Sequence, residues 1–521
     1  MNPTRCSRTG LPRLSIALVA SLLVTGCGVH RAPLPDDPAS SRIEAQRQQG
    51  DHLASQLAAA VARADDEDPD PGTTNHALSA VIGHPAFGTL PDEQRHQALS
   101  VAAFAAIRLD QLPRARDLYL AATRVDPADP DDWYRLSLIE REIGDHEASA
   151  THLLHLLREW PELLDNLPEH DISLLIHQMA PASPARLEVL QTLFDASWTR
   201  NGLGASVFWY ELALMRVERG ETEQARPAIA RITEPMDVVK LRADRRFDAV
   251  VDRDDARFDA ARAARRRADD LRVMAMLEPG RLDVLRELTY AMLAAGDNRD
   301  VLAMTDAALA VIAAGEEASP FQDLDEQVWL MNNRAIALRR LGRIDEALVQ
   351  MEHASRLTEQ GEPNVSQLLN LGQFYCSLGR PGDALKAIAQ VGGMSGYGRM
   401  VQASVQHCAA RRSGDAAGAA HALAYLRRHR QDSEIHFVEA LIEAGRLDEA
   451  AAVLVALLES PHDRADALIA VQKFRSTEPL PGDVAYRARG HAVIARAQVQ
   501  AAVQRVGRVE HHGIHAGNGT D

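Results

Sequence analysis

The sequence predicts an all-α protein built from stacked helix-turn-helix units, and three observations predict it. Pro127 and Pro161 lie 34 residues apart (161 − 127), and the residues between them recur in register. A turn glycine followed five residues later by a packed alanine recurs as Gly220 and Ala225, Gly342 and Ala347, Gly379 and Ala384, Gly414 and Ala419, and Gly445 and Ala450. Hydrophobic residues make up 46% of the 521 and aromatic residues only 4%, a balance that suits closely packed, alanine-rich helices.

The first 26 residues stand apart from this array. Arg5, Arg8 and Arg13 make a basic start, and an apolar run from Leu14 to Val24 follows. The run is too short to span a bilayer as a helix of the mature protein. It ends in Val24-Thr25-Gly26-Cys27, which resembles the lipobox of a bacterial lipoprotein signal. The resemblance implies that Cys27 carries diacylglycerol and an amide-linked acyl chain such as palmitate, and becomes the first residue after cleavage. Several acyl chains on one residue give stable anchoring, because each buried methylene contributes roughly 0.8 kcal/mol. Gly28 after the cysteine points to the periplasmic side of the outer membrane rather than to the inner membrane. An ordinary cleaved signal with an incidental cysteine is the alternative. The net charge of −16 becomes −19 without the three signal arginines (−16 − 3), which argues against nucleic acid as a partner.

Residues 27–40 are rich in proline and polar side chains and read as a flexible tether. N-terminal helices fill 41–95; in the first of them Ile43, Leu53, Leu57 and Val61 recur at helical spacing. The acidic stretch Asp65 to Pro71 has two prolines and no glycine turn, and reads as a solvated loop rather than a calcium site. Repeats occupy 96–232, with 164–200 irregular, and return over 282–460. Ala115, Tyr119, Ala122 and Pro127 take the small, aromatic, small and proline places of one unit, and Trp133 and Leu136 open the next. Leu368, Leu371, Gly372, Tyr375, Gly379 and Ala384 form another. This pattern resembles the tetratricopeptide repeat, whose period is about 34 residues. The resemblance implies a right-handed superhelical solenoid of helical hairpins, of the kind found in bacterial tetratricopeptide lipoproteins; about eight units can be counted.

Residues 233–281 read as a helical linker carrying an 11-residue repeat, because Arg246-Phe247-Asp248-Ala249 returns as Arg257-Phe258-Asp259-Ala260. On one helix the two phenylalanines share a face. The arginines at 262, 265, 266, 267 and 272 are matched by nearby aspartates and read as a self-neutralised surface. Capping helices fill 461–507, and 508–521 read as a disordered tail. His511, His512 and His515 lack a fourth ligand and an ordered frame, so no metal site is assigned.

No nucleophile turn, HExxH, phosphate-binding loop or dinucleotide fingerprint occurs, so no catalytic residue, cofactor or enzyme activity is assigned. Gly392 to Gly398 reads as a connector. Cys376 and Cys408 fall on first helices of consecutive units; packed helix axes lie roughly 8–10 Å apart, so two free thiols are the expectation and a disulfide the alternative.

In the tetratricopeptide family the first helices of successive units line a groove for a peptide or protein. Applied here, the groove stripe selects Trp329, Asn332, Ile336, Arg339 and Arg340, then Ser366, Leu369, Gln373, Cys376 and Ser377, then Ser404, Cys408, Arg411 and Arg412. The partner-binding residues are thus Trp329, Asn332, Arg339, Arg340, Gln373, Ser404, Arg411 and Arg412. Their arginines and amides fit an acidic or carboxylate-bearing segment. The expected role is a lipid-anchored protein-interaction scaffold in envelope assembly, export or polysaccharide secretion. The alternative is an accessory subunit of an envelope enzyme.

Overall fold

The computed structural model describes residues 38–64, 70–315, 319–359, 362–389 and 391–516. The signal, Cys27, most of the tether and residues 65–69 lie outside them. The described chain is helical apart from isolated bridges and one two-residue antiparallel pairing, Thr358–Glu359 with Glu362–Pro363. No described helix is long and apolar enough to cross a membrane. The chain divides into two units, Met1–Ala196 and Ser197–Asp521.

The first unit contains α1 (Pro38–Ala64), α2 (Pro71–Ile82), α3 (Asp92–Arg108), α4 (Leu112–Ala122), α5 (Pro130–Glu142), α6 (His146–Glu159), α7 (Glu169–Gln178) and α8 (Pro184–Asp195). Helix α1 opens three residues earlier than its apolar spacing predicts, at Pro38, whose fixed φ suits the first helical turn. Consecutive helices of this unit pack against one another. Tyr119 is fully buried against Ala103, Ala106, Ala115 and Leu136, which shows why small residues recur around the one aromatic place. Residues 164–200 hold a short 3-10 segment and the pair α7 and α8, without the turn found in the other hairpins.

The second unit holds α9 (Ser206–Glu218), α10 (Thr222–Ala230), α11 (Pro235–Ala243), α12 (Ala260–Leu277), α13 (Leu282–Ala295), α14 (Asn298–Ala313), α15 (Gln327–Arg340) and α16 (Ile344–Ala354). It continues with α17 (Val365–Ser377), α18 (Pro381–Ala387), α19 (Gly396–Arg412), α20 (Ala416–Arg428), α21 (Glu434–Glu443) and α22 (Leu447–Glu459). It ends with α23 (Arg464–Ala470), α24 (Asp483–Ile494) and α25 (Ala497–Val506).

One turn joins the two helices of eight hairpins. Its pivot is Asp110, Gly144, Gly220, Gly296, Gly342, Gly379, Gly414 or Gly445, each with φ between 57° and 92°. The next residue's N–H donates to the carbonyl five positions back, as from Arg343 to Leu338 and from Arg446 to Leu441, at 2.8–3.0 Å in all eight. That bond closes the helix end and fixes the direction of the chain. Five residues after each pivot a buried side chain enters the hairpin: Ala115, Ser149, Ala225, Val301, Ala347, Ala384, Ala419 or Ala450. The first two pairs carry the motif in altered form. Asp110 tolerates the left-handed conformation, and Ser149 is satisfied by donating its hydroxyl to Ser137 O at 2.7 Å.

Two expectations are corrected. Phe247 and Phe258 do not share a face of one helix. Each closes a separate 3-10 turn between α11 and α12, Arg245–Phe247 and Ala256–Phe258. The Asp244 side chain accepts from Arg246 N at 2.9 Å and Asp255 from Arg257 N at 2.8 Å, while each aspartate also pairs with that arginine's guanidinium at 2.6 Å. An aspartate that satisfies the backbone donors locally ends a helix instead of continuing it. The 11-residue repeat is a repeated capped turn.

The second correction concerns the C-terminal tail, of which 508–516 are described and packed. Arg508 N donates to Ala243 O at 3.0 Å, Arg508 pairs with Asp248 Oδ2 at 2.7 Å, and Glu510 pairs with Arg242 at 2.7 Å. His512 and His515 are buried. Helix α11 also packs on α23. At the end of the array Val493, Val499 and Val503 of α24 and α25 join Leu441, Leu454 and Leu458 in one core.

Candidate partner-binding grooves

Counted back from each turn pivot, the groove stripe falls thirteen, ten, six, three and two residues earlier on the first helix. On α15 this places Trp329, Asn332, Arg339 and Arg340; on α17, Gln373; on α19, Ser404, Arg411 and Arg412. Asn332 is buried and accepts from Asn370 Nδ2 at 3.3 Å, tying α15 to α17. Trp329, Gln373 and Ser404 are half-buried.

The arginines separate into two groups. Arg339 lies 3.8 Å from Asp483, Arg340 donates to Leu293 O at 2.7 Å, and Arg412 donates to Gly482 O at 2.8 Å with Glu443 at 3.7 Å. Arg411 points elsewhere, exposed at a cleft of about 310 Å³ lined by His407, Gly414, Asp415 and Leu423. Thus Arg339 and Arg412 meet the same stretch of the chain, and Arg411 does not join them.

That stretch is the extended segment between α23 and α24. Its N–H groups at Lys473 and Arg475 donate to Glu510 O and Ile514 O at 3.1 and 2.8 Å, and Gly482 N donates to Ser377 O at 2.8 Å. The Arg475 guanidinium reaches Ala295 O at 3.0 Å. Leu480 is buried beside Leu371, Phe374 and Cys376.

Cys376 and Cys408 form a disulfide, with Cα atoms 6.4 Å apart. Two free thiols were the expectation from ordinary helix spacing. The approach is closer here because Gly372 faces α18 and α19 without a side chain: a Cβ there would meet Ile388 Cγ2 at 2.7 Å and Val405 Cγ1 at 3.2 Å.

A second stripe lies on the first unit, and the same offsets applied at Asp110 and Gly144 find it. They select Ser100 and Phe104 on α3 and Tyr134 and Arg141 on α5. Phe104 is 47% exposed, with the Arg135 guanidinium 5.4 Å from its ring centre. Tyr134 donates to Asp171 Oδ2 at 2.6 Å, and Arg141 pairs with Asp171 at 2.8 Å. Nearby, buried Asp132 accepts from Ser100 at 2.7 Å and lies 2.6 Å from His96 Nε2. The serine donates to the carboxylate and not to the imidazole, so the trio braces two helices and does not activate a nucleophile. The hydrogen bond that the His96 ring makes to the Asp132 carboxylate raises the His96 pKa above its ordinary value.

Of the α12 arginines, Arg272 pairs with Asp269 on the same helix at 2.6 Å and Arg267 with Glu234 just before α11 at 2.7 Å. Among the described residues no group of three or more His, Cys, Asp or Glu is placed to hold a metal ion. His512 and His515 both have pKa values lowered to about 4 by burial.

The fold and its stripes define the class: an all-α array of tetratricopeptide-like hairpins. No family model and no curated protein matches the chain. Among solved structures it is similar to Naa15/Naa10 bound to HypK-THB, at 13% identity over 90% of this chain and 75% of that one, with a TM-score of 0.25. It is also similar to yeast Tom70, at 10% identity over 88% and 99%, TM-score 0.29. A third is the APC/C hetero-tetramer Cut9-Hcn1, at 12% identity over 84% and 89%, TM-score 0.23. At such scores these likenesses carry no argument about function, and the class rests on the hairpins themselves.

Proposed function

We propose that the protein is a non-enzymatic scaffold, anchored by lipid at Cys27 on the periplasmic side of the outer membrane, that holds a partner protein by an extended segment. The observation that carries this reading is the exposed Phe104 under Arg135, on a face built from successive first helices joined by the same kind of turn. An aromatic ring left in water beside a guanidinium favours a segment with an apolar anchor and an acidic flank. The stripe of Trp329, Asn332, Arg339, Arg340, Gln373, Ser404, Arg411 and Arg412 is proposed as a second face for acidic chemistry. The partner belongs to envelope assembly, export or polysaccharide secretion.

The test places a photo-crosslinking residue at position 104 in cells and replaces Cys27 in parallel. Phe104 crosslinking yields one dominant adduct, and Cys27→Ala abolishes fatty-acid labelling and releases the chain to the soluble periplasm. A diffuse crosslinking pattern sinks the groove; a variant that stays membrane-bound sinks the anchor.

A further inference from the structure

The segment at residues 473–483 lies where the stripe on α15 and α19 has Arg339 and Arg412. It approaches the ends of four first helices: Arg475 reaches the last carbonyl of α13, Asp483 faces Arg339 at the end of α15, and Gly482 bridges the Ser377 carbonyl of α17 and the Arg412 guanidinium of α19. This is how an extended peptide is held, by backbone hydrogen bonds, one apolar side chain and one acid.

Gly482 is the latch. A Cβ at this position would lie 2.5 Å from Cys376 O and 2.7 Å from Ser377 O, both backbone atoms that cannot swing aside. Proline at 479 and 481 keeps the backbone extended and removes N–H groups that a helix or strand would use.

The hold is light. From Lys473 to Leu480 only Leu480 is buried; Lys473, Arg475, Ser476, Glu478 and Pro479 are exposed. Segments with few buried apolar contacts open at low free energy. Both flanks are anchored independently of it, through Leu468 and Val471 before it and Val493, Val499 and Val503 after it. The segment can therefore bow away while its neighbours stay packed.

We propose that residues 473–483 are an internal occupant of the groove on α15, α17 and α19, and that a partner segment of the same chemistry, a leucine between prolines followed by glycine and an acid, engages Arg339 and Arg412 by replacing it. This rests on the scaffold reading above and adds to it a recognition chemistry and a closed resting state. An internal occupant lowers the apparent affinity for an external segment by the fraction of time the groove is open.

The probe is a fluorescent peptide of residues 476–486 added to the full chain. Wild type binds weakly, and Gly482→Val, which cannot seat the latch, binds about ten-fold or more tightly. A peptide with Leu480→Ala and Asp483→Asn loses that gain. A folded Gly482→Val chain that binds no better than wild type overturns the proposal. Hydrogen exchange on wild type guards against a misfolded variant: the amides of Lys473, Arg475 and Gly482 exchange about 100-fold or more faster than those of Leu371 and Phe374. Equal protection makes the segment a permanent plug and also overturns the proposal. Neither failure touches crosslinking at Phe104, which tests the scaffold reading separately.

Discussion

Asp132 shows what a single side chain contributes to this array. The residue is 1% exposed, and a buried carboxylate is tolerated only when its oxygens are paired. Ser100 and His96, both on the preceding first helix, supply the partners. Because the pairing raises the His96 pKa, the native state binds a proton more tightly than the unfolded chain. The added stability is fully present below the ordinary histidine value and is lost as pH rises through the raised one. His96→Ala is therefore predicted to cost about 1–2 kcal/mol near pH 5.5 and clearly less near pH 9, read from urea unfolding at both values. An equal cost at the two pH values would falsify the ion pair. None of this was legible in the sequence, since His96 and Asp132 sit on different hairpins and neither belongs to the repeat pattern. Phe104, in contrast, was within reach, because the groove offsets that pick out Trp329 also pick it out once Asp110 is recognised as a turn pivot.

The hairpins were the legible part. A left-handed pivot and a small residue five positions later are both local requirements, so they recur visibly from Gly220 to Ala450. Gly144 with Ser149 and Asp110 with Ala115 obey the same physics with other residue types, and identity alone hides them. The linker misled for a related reason: Arg-Phe-Asp-Ala at 11-residue spacing matches helical periodicity, but the aspartate before each copy caps a turn. Closeness between hairpins was equally hidden. General helix spacing argued against a bond between Cys376 and Cys408, whereas Gly372 lets these two helices approach further. The cysteines are 32 residues apart, so the cross-link should stabilise the chain by about 3–4 kcal/mol. Alkylation of the native protein without reductant should leave both unlabelled, and Cys408→Ser should lower the denaturation midpoint accordingly. Labelling of both cysteines would rule the bond out.

Within the second unit, residues 508–510 return to the stretch around α11. Arg508 with Asp248 and Glu510 with Arg242 span more than 250 positions, and their guanidinium groups are largely withdrawn from water. Removing both by Arg508→Ala with Glu510→Ala is predicted to destabilise this unit by about 2–3 kcal/mol, since hydrogen bonds to charged groups contribute roughly 1.5–3 kcal/mol each and these two are partly exposed. Calorimetry should show the loss as a drop of several degrees in one transition. An unchanged transition would mean that closure adds nothing to the array.

The amino-acid sequence by itself determined the helices, the turns between them and the repetition that makes an array, because each depends on residues within one period of one another. The tertiary structure alone decided that the tail packs, that Cys376 meets Cys408, that Asp132 is shared by His96 and Ser100, and that residues 473–483 meet Arg339 and Arg412. Those contacts join positions tens to hundreds of residues apart, and they are set by where stacked helices bring side chains together, which leaves no period in the sequence to read.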